Sequence, residues 1–235
     1  MYERLFTLFA FFLYLGYAHA QDEKYQQLME QDWANLKKYR KANEKIIAKG
    51  DFPGVIFMGN SITEGWSSLR SEFFSKHDFL GRGIGGQTTP QMLLRFIADV
   101  IDLKPQAVVI LAGTNDIAGN TGYSSEKMIT DNITAMAQLA EQNRIRVILA
   151  SVLPVHEYPW NPGIDPVKKI AALNKWIKDH TEANEYIYQD FYSVMADSRK
   201  GLPKKYAEDG VHPTTLGYQV MEPLALKAIS KVLDK

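Results

Sequence analysis

Val55-Ile56-Phe57-Met58-Gly59-Asn60-Ser61-Ile62-Thr63 is the stretch that decides the fold. Four apolar residues run without a polar break and stop at a glycine. Successive side chains of a strand point to opposite faces, so an unbroken apolar run describes a strand buried on both. Two more runs have this form. Val108-Val109-Ile110-Leu111-Ala112 ends at Gly113, and Val147-Ile148-Leu149-Ala150-Ser151-Val152 ends just before Pro154. Tyr186-Ile187-Tyr188 is a weaker fourth, and Asp78-Phe79-Leu80 begins a short strand that runs into the glycines at 81–86.

Helical periodicity fills the gaps. Residues 90–103 place Met92, Leu93, Phe96, Ile97 and Val100 on one stripe, and residues 125–142 do the same with Met128, Ile129, Ile133, Met136 and Leu139. Further helices are expected over 166–180 and 216–233. Alternation of strand and helix predicts a doubly wound α/β sandwich with about five parallel strands. In such sheets ligands bind beyond the carboxyl ends of the strands.

Composition narrows the partners. The 235 residues hold 27 basic and 27 acidic side chains and no cysteine. The balanced charge offers no field for nucleic acid. Without cysteine there are no disulfides, no thiolate metal sites and no lipid-anchor cysteine. At the start, Arg4 precedes the apolar stretch 5–15, and Ala18-His19-Ala20 has the small-x-small form of a signal peptidase site. Residues 1–20 therefore read as a cleaved signal peptide, although Glu3 weakens its positive end. The alternative, an uncleaved anchor, has a run shorter than the roughly 20 residues that span a bilayer. Export to a periplasmic or extracellular space is expected, with no stable membrane insertion after cleavage. Residues 21–50 read as a charged helical extension, with Leu28, Trp33, Leu36 and Tyr39 at helical spacing, ahead of a main domain over 51–235.

Four strand ends carry chemistry. Ser61 lies at the first strand-to-helix turn, where backbone N–H groups can face a developing negative charge; a plain helix-capping serine is the bland alternative. Gly81, Gly83 and Gly86 match G-x-G-x-x-G, but the motif does not follow the first strand, and Asp102 sits at a helix end rather than a second strand end, so dinucleotide binding is rejected. A better use of Gly86 is to donate its N–H to an oxyanion. Asn115, in Gly113-Thr114-Asn115-Asp116, can point an amide into the same space. Asp209-Gly210-Val211-His212 lets one loop present a base and the carboxylate that orients it.

Taken together, Gly59-Asn60-Ser61, Gly86, Gly113-Thr114-Asn115-Asp116 and Asp209-x-x-His212 resemble the four sequence blocks of the SGNH (GDSL-type) hydrolases, over roughly residues 54–220. The resemblance implies a flavodoxin-like three-layer α/β/α sandwich and ester hydrolysis without metal or cofactor. It implies Ser61 as nucleophile, His212 and Asp209 as its triad partners, and Ser61, Gly86 and Asn115 as the oxyanion hole. Gly86 is preferred because Gln87-Thr88 follow it as in the family's second block; the adjacent Gly85 is the alternative. Asn60 stands where the family has aspartate.

Within the family the chain resembles exported bacterial carbohydrate O-acetylesterases, which implies a short-chain acyl ester on a small molecule or glycan. A lysophospholipase or thioesterase is the enzyme alternative, and a non-catalytic glycan-binding module the alternative of another class. His19, His77, His156 and His180 lack metal-ligand spacing. Asn132-Ile133-Thr134 is a glycosylation sequon inside an expected helix. The loop 154–166 carries Tyr158 and Trp160, which either wall a pocket or decorate a surface loop. Oligomeric state is not legible.

Overall fold

The computed structural model describes residues 25–27 and 29–233. The expected signal segment and Leu28 lie outside them. The described residues up to Asn35 and those from Leu36 onward belong to separate units. In the first, the described residues include a turn closed by the Asn35 N–H on the Asp32 carbonyl, 2.8 Å.

The second unit is built on five strands: β1 (Val55–Gly59), β2 (Phe79–Gly83), β3 (Ala107–Leu111), β4 (Arg146–Ala150) and β5 (Ile187–Gln189). All pair in parallel in the order β2-β1-β3-β4-β5. The chain steps outward from β1 to β2, then returns past β1 to β3. Strand order therefore reverses between β1 and β3, and a crevice opens at their carboxyl ends.

Alternation within the strands explains their unbroken apolar runs. Ile56, Met58, Val108, Ile110, Val147 and Leu149 face one layer. That layer is made of α4 (Thr89–Asp99), α6 (Glu126–Gln142) and α7 (Pro166–Ala183), which contribute Phe96, Ile133 and Ile177. Val55, Phe57, Val109 and Ile148 face the other, made of α2 (Ser61–Leu69), α3 (Ser71–Lys76) and α9 (Thr215–Leu233). The architecture is the expected three-layer sandwich. Trp66 of α2 sits among Phe57, Phe73, Phe74 and Tyr218, with ring centroids 5.3–6.0 Å away. Edge-to-face and offset pairs of this kind add about 0.5–1.5 kcal/mol each beyond burial.

Two expected faces differ from the structure. On α4, Met92, Phe96 and Val100 are buried, but Ile97 is 54% exposed and Arg95 is fully buried instead. Of the expected stripe before residue 50, Leu36 is exposed while Tyr39 of helix α1 (Lys37–Lys49) turns inward, joined by Asn43 and Ile46. Polar partners drive both departures. Arg95 reaches three acceptors: the Gly59 carbonyl at 2.8 Å, Gln87 Oε1 at 2.6 Å and Asp99 Oδ2 at 2.9 Å. Asn43 donates to Asp99 at 2.7 Å and accepts from Arg82 Nη2 at 2.6 Å, while Arg82 lies over the Tyr39 ring. Burial lowers the pKa of both guanidiniums from their ordinary value, opposed by Asp99. A buried charge is tolerated when its donors are met in this way.

Candidate active site

The position of Ser61 is set by a cap and a close approach. Asn60, 1% exposed, caps α2 by accepting the Ile62 N–H at 3.1 Å. Ser61 is thus the first helical residue rather than the cap. Its hydroxyl is released from capping, and its N–H lies in the first turn, where no carbonyl of the helix reaches it. Asn60 performs here the capping that an aspartate can perform, without a buried charge. The glycines of β2 let α2 approach closely: a Cβ on Gly83 would stand 2.1 Å from the Glu64 nitrogen, and one on Gly81 2.4 Å from Ser67 Cβ. Two of the three glycines of the dinucleotide-like pattern are thereby accounted for by packing.

His212 reaches Ser61 from 151 residues further along the chain. His212 Nε2 lies 2.9 Å from Ser61 Oγ, and His212 Nδ1 lies 2.6 Å from Asp209 Oδ2. With carboxylate on one side and hydroxyl on the other, Nδ1 carries the proton and Nε2 accepts. Asp209 Oδ1 also accepts the backbone N–H groups of Val211 and His212, at 2.9 and 2.8 Å. Burial acts to raise the Asp209 carboxyl, but the hydrogen bonds from the His212 ring and from these two N–H groups outweigh it and hold the pKa below its ordinary value. Val211 anchors the loop in the core. Tyr218 ties α9 to α2 by donating to the Ile62 carbonyl at 2.8 Å.

Ser61, Gly86, Asn115 and His212 line one open cleft of about 620 Å³, together with Ala118, Gly119, Asn120, Trp160 and Asn161. Asn115 is 3% exposed and spends one amide hydrogen on the Gln87 carbonyl, 2.9 Å away. The Gly85 N–H is taken by the Glu64 carboxylate at 2.6 Å. Among the described residues no acceptor reaches the Gly86 N–H, and Gly86 has φ +75° with open space where a Cβ would stand. Of the two neighbouring glycines, Gly86 is the one with a donor to offer.

Of the two aromatics in the 154–166 loop, one fits neither use considered for it and the other walls the cleft. Tyr158 is fully buried and donates to the Thr114 carbonyl at 2.9 Å, so it is core. Trp160 is 45% exposed, lies 6.1 Å from the His212 ring and walls the cleft. Among the described residues no group of three or more acidic or histidine side chains gathers at metal-binding distance. The sequon residue Asn132 is used within the fold, donating to Thr89 Oγ1 at 3.1 Å.

Several supporting residues were not singled out from sequence. Asp116 accepts the Thr89 N–H at 3.0 Å and its hydroxyl at 2.6 Å, fastening the β3 loop to the amino end of α4. Burial pushes the Asp116 carboxyl up, and the Thr89 hydrogen bonds pull it back. A carboxylate at a helix amino terminus is favoured by the helix dipole. Arg95 braces β1 at Gly59 and holds the Gln87 side chain. The sequence signal for Asp116 was its place in the third block; for Arg95 there was only an arginine beside an apolar stripe.

Comparison with known proteins gives the family and the fold. Residues 57–220 match the GDSL-like Lipase/Acylhydrolase family. A candidate acylhydrolase of Bacteroides fragilis NCTC 9343 superposes with TM-score 0.82 at 47% identity, over 86% of this chain and 99% of that one. A GDSL-like lipase of Bacteroides thetaiotaomicron VPI-5482 gives 0.82 at 46%, over 86% and 100%. An uncharacterized lipoprotein of Bacillus subtilis (strain 168) is 37% identical over 83 residues, about a third of either chain (34%). The chain belongs to the GDSL-like lipase/acylhydrolase family and is a serine ester hydrolase.

Proposed function

We propose that this hydrolase is exported and removes short acyl groups, acetyl above all, from carbohydrate esters, with Ser61 as nucleophile, His212 as general base and Asp209 orienting the imidazole. The observation that carries the mechanism is the unbroken Ser61–His212–Asp209 chain of 2.9 and 2.6 Å contacts at the edge of the cleft. Ser61 attacks the ester carbonyl as His212 Nε2 takes its proton. The N–H groups of Ser61 and Gly86 and the second amide hydrogen of Asn115 receive the oxyanion. His212 returns the proton to the leaving alcohol, and water cleaves the acyl-serine by the same route.

The walls of the cleft support this substrate class. None of the nine residues lining the cleft has an aliphatic side chain larger than alanine. A long acyl chain gains about 0.8 kcal/mol per buried methylene only where apolar walls exist. Three asparagines and an indole suit a hydroxyl-rich ring instead. Export rests on the leader-like segment 1–20 and accords with the lipoprotein among the relatives. No helix of the described residues is long and apolar enough to cross a membrane.

The test is hydrolysis of acetyl and octanoyl aryl esters, with acetylated xylan and sialic acid in parallel, by wild type and Ser61→Ala. Acetyl preference with loss of turnover in the variant is the expected result. Faster octanoyl cleavage would overturn the substrate class, and an active Ser61→Ala the nucleophile.

A further inference from the structure

Asn120 makes three contacts that join otherwise separate parts of the cleft. Its Oδ1 accepts the Trp160 indole N–H at 3.0 Å, and its Nδ2 donates to the Gly86 carbonyl at 3.2 Å. Its backbone N–H donates to the Asn115 carbonyl at 3.0 Å. An indole nitrogen can only donate and a carbonyl can only accept, so both ends of the amide are committed and its orientation is fixed. The residue sits in a tight turn closed by the Gly122 N–H on the Gly119 carbonyl, and Thr121 next to it contacts the Thr88 hydroxyl at 2.9 Å. None of this is needed to fold the sheet, because Asn120 is exposed.

We infer that Asn120 is a positioning residue for the oxyanion hole, and that it couples the Trp160 wall to the Gly86 donor. Gly86 has φ +75° and no side chain to hold it. Two neighbouring peptide units can counter-rotate there at little cost, which would turn the Gly86 N–H away from the cleft. The peptide unit that carries the Gly86 N–H lies between two held neighbours: the Gly85 N–H is fixed on the Glu64 carboxylate on one side, and the Gly86 carbonyl is fixed by Asn120 on the other, which blocks that rotation from both sides. The Asn120 bond is open to water in the free protein. A ring seated on Trp160 covers it, and a hydrogen bond shielded from water strengthens. Binding on the alcohol side of the ester thus stiffens the donor on its carbonyl side.

The inference rests on the oxyanion assignment of Gly86 and Asn115, and the experiment separates the two. The ratio of turnover on an aryl acetate to turnover on its thionoester measures oxyanion binding, because sulfur accepts hydrogen bonds poorly. The ratio is measured for wild type, Asn115→Ala, Asn120→Ala and Trp160→Phe, which keeps a ring but loses the N–H. In Asn120→Ala, kcat on the acetate is expected to fall about tenfold to a hundredfold, the scale of a small misplacement, with KM nearly unchanged. The ratio should shrink as it does in Asn115→Ala, and partly in Trp160→Phe. A defect of folding alone lowers both rates together and leaves the ratio intact, which would overturn the inference. If Asn115→Ala shrinks the ratio and Asn120→Ala does not, the positioning role fails and the oxyanion hole stands. If neither shrinks it, the oxyanion assignment itself fails.

Discussion

Replacing Asn115 by alanine separates two free energies that meet in one side chain. One amide hydrogen holds the Gln87 carbonyl at 2.9 Å inside the protein, and the proposed mechanism gives the other to the oxyanion. Losing an oxyanion donor raises the barrier by about 3 kcal/mol, which lowers kcat by roughly two to three orders of magnitude. Losing the bond to Gln87, itself buried, costs stability by about 1–3 kcal/mol. For a domain of this size each kcal/mol moves Tm by about 2–4 °C, so Tm should drop by about 2–12 °C. The assay is steady-state hydrolysis of an aryl acetate, normalised to the Ser61 fraction titrated by a phosphonate, beside thermal unfolding. Normalisation matters because the less stable variant must not be scored as inactive merely for being partly unfolded. A normalised kcat within about threefold of wild type would falsify the oxyanion role. An unchanged Tm would show that the bond to Gln87 carries no net stability.

Other perturbations probe the frame. Gly83→Ala drives a Cβ to 2.1 Å from the Glu64 backbone nitrogen, so α2 must shift; a loss of about 3 kcal/mol in urea unfolding is expected, whereas Gly163→Ala, with open space around it, should be neutral. Arg95→Met leaves the buried Asp99 without its cation and should cost about 3–5 kcal/mol by the same measurement; a neutral result would mean that the buried network is not held by charge. The Asp209 pKa is depressed in the folded protein, so its contribution to stability is present above the unfolded carboxylate pKa and disappears as pH falls through the lower folded value. The Tm difference between wild type and Asp209→Asn should therefore narrow as pH falls below about 4. The effect will be modest, because 43% of the side chain meets solvent; a gap that widens on acidification would contradict the sign.

The apolar runs at 55–58, 108–112 and 147–150 were legible because burial on both faces leaves no alternative pattern for a strand. Three strands with helices between them then imply the sandwich and the end of the sheet where chemistry gathers. Ser61, Gly86 and Asn115 could be singled out because each lies just past a strand whose end is readable, whereas Asp209 and His212, 20 residues and more beyond β5 and just ahead of α9, were legible only from their three-residue spacing; the structure brings all five together. Periodicity could not reveal Arg95, Arg82 and Asn43. It scores a polar residue as outward-facing, and only the fold shows that Gly59, Gln87 and Asp99 meet them inside. Asn120 escaped for the opposite reason. It lies in a Gly119–Gly122 turn where every sequence signal says loop, and its partners come from segments 34 and 40 residues away.

Ser61 and His212 are 151 residues apart, and the loop that brings them together is held by α9, the last helix described. A chain made from its amino end therefore presents Ser61 long before the loop that carries His212 exists. On the proposed triad, Ser61 gains its base only once α9 has folded against α2, so a chain cut before residue 209 is expected to be inactive although it keeps Ser61, Gly86 and Asn115.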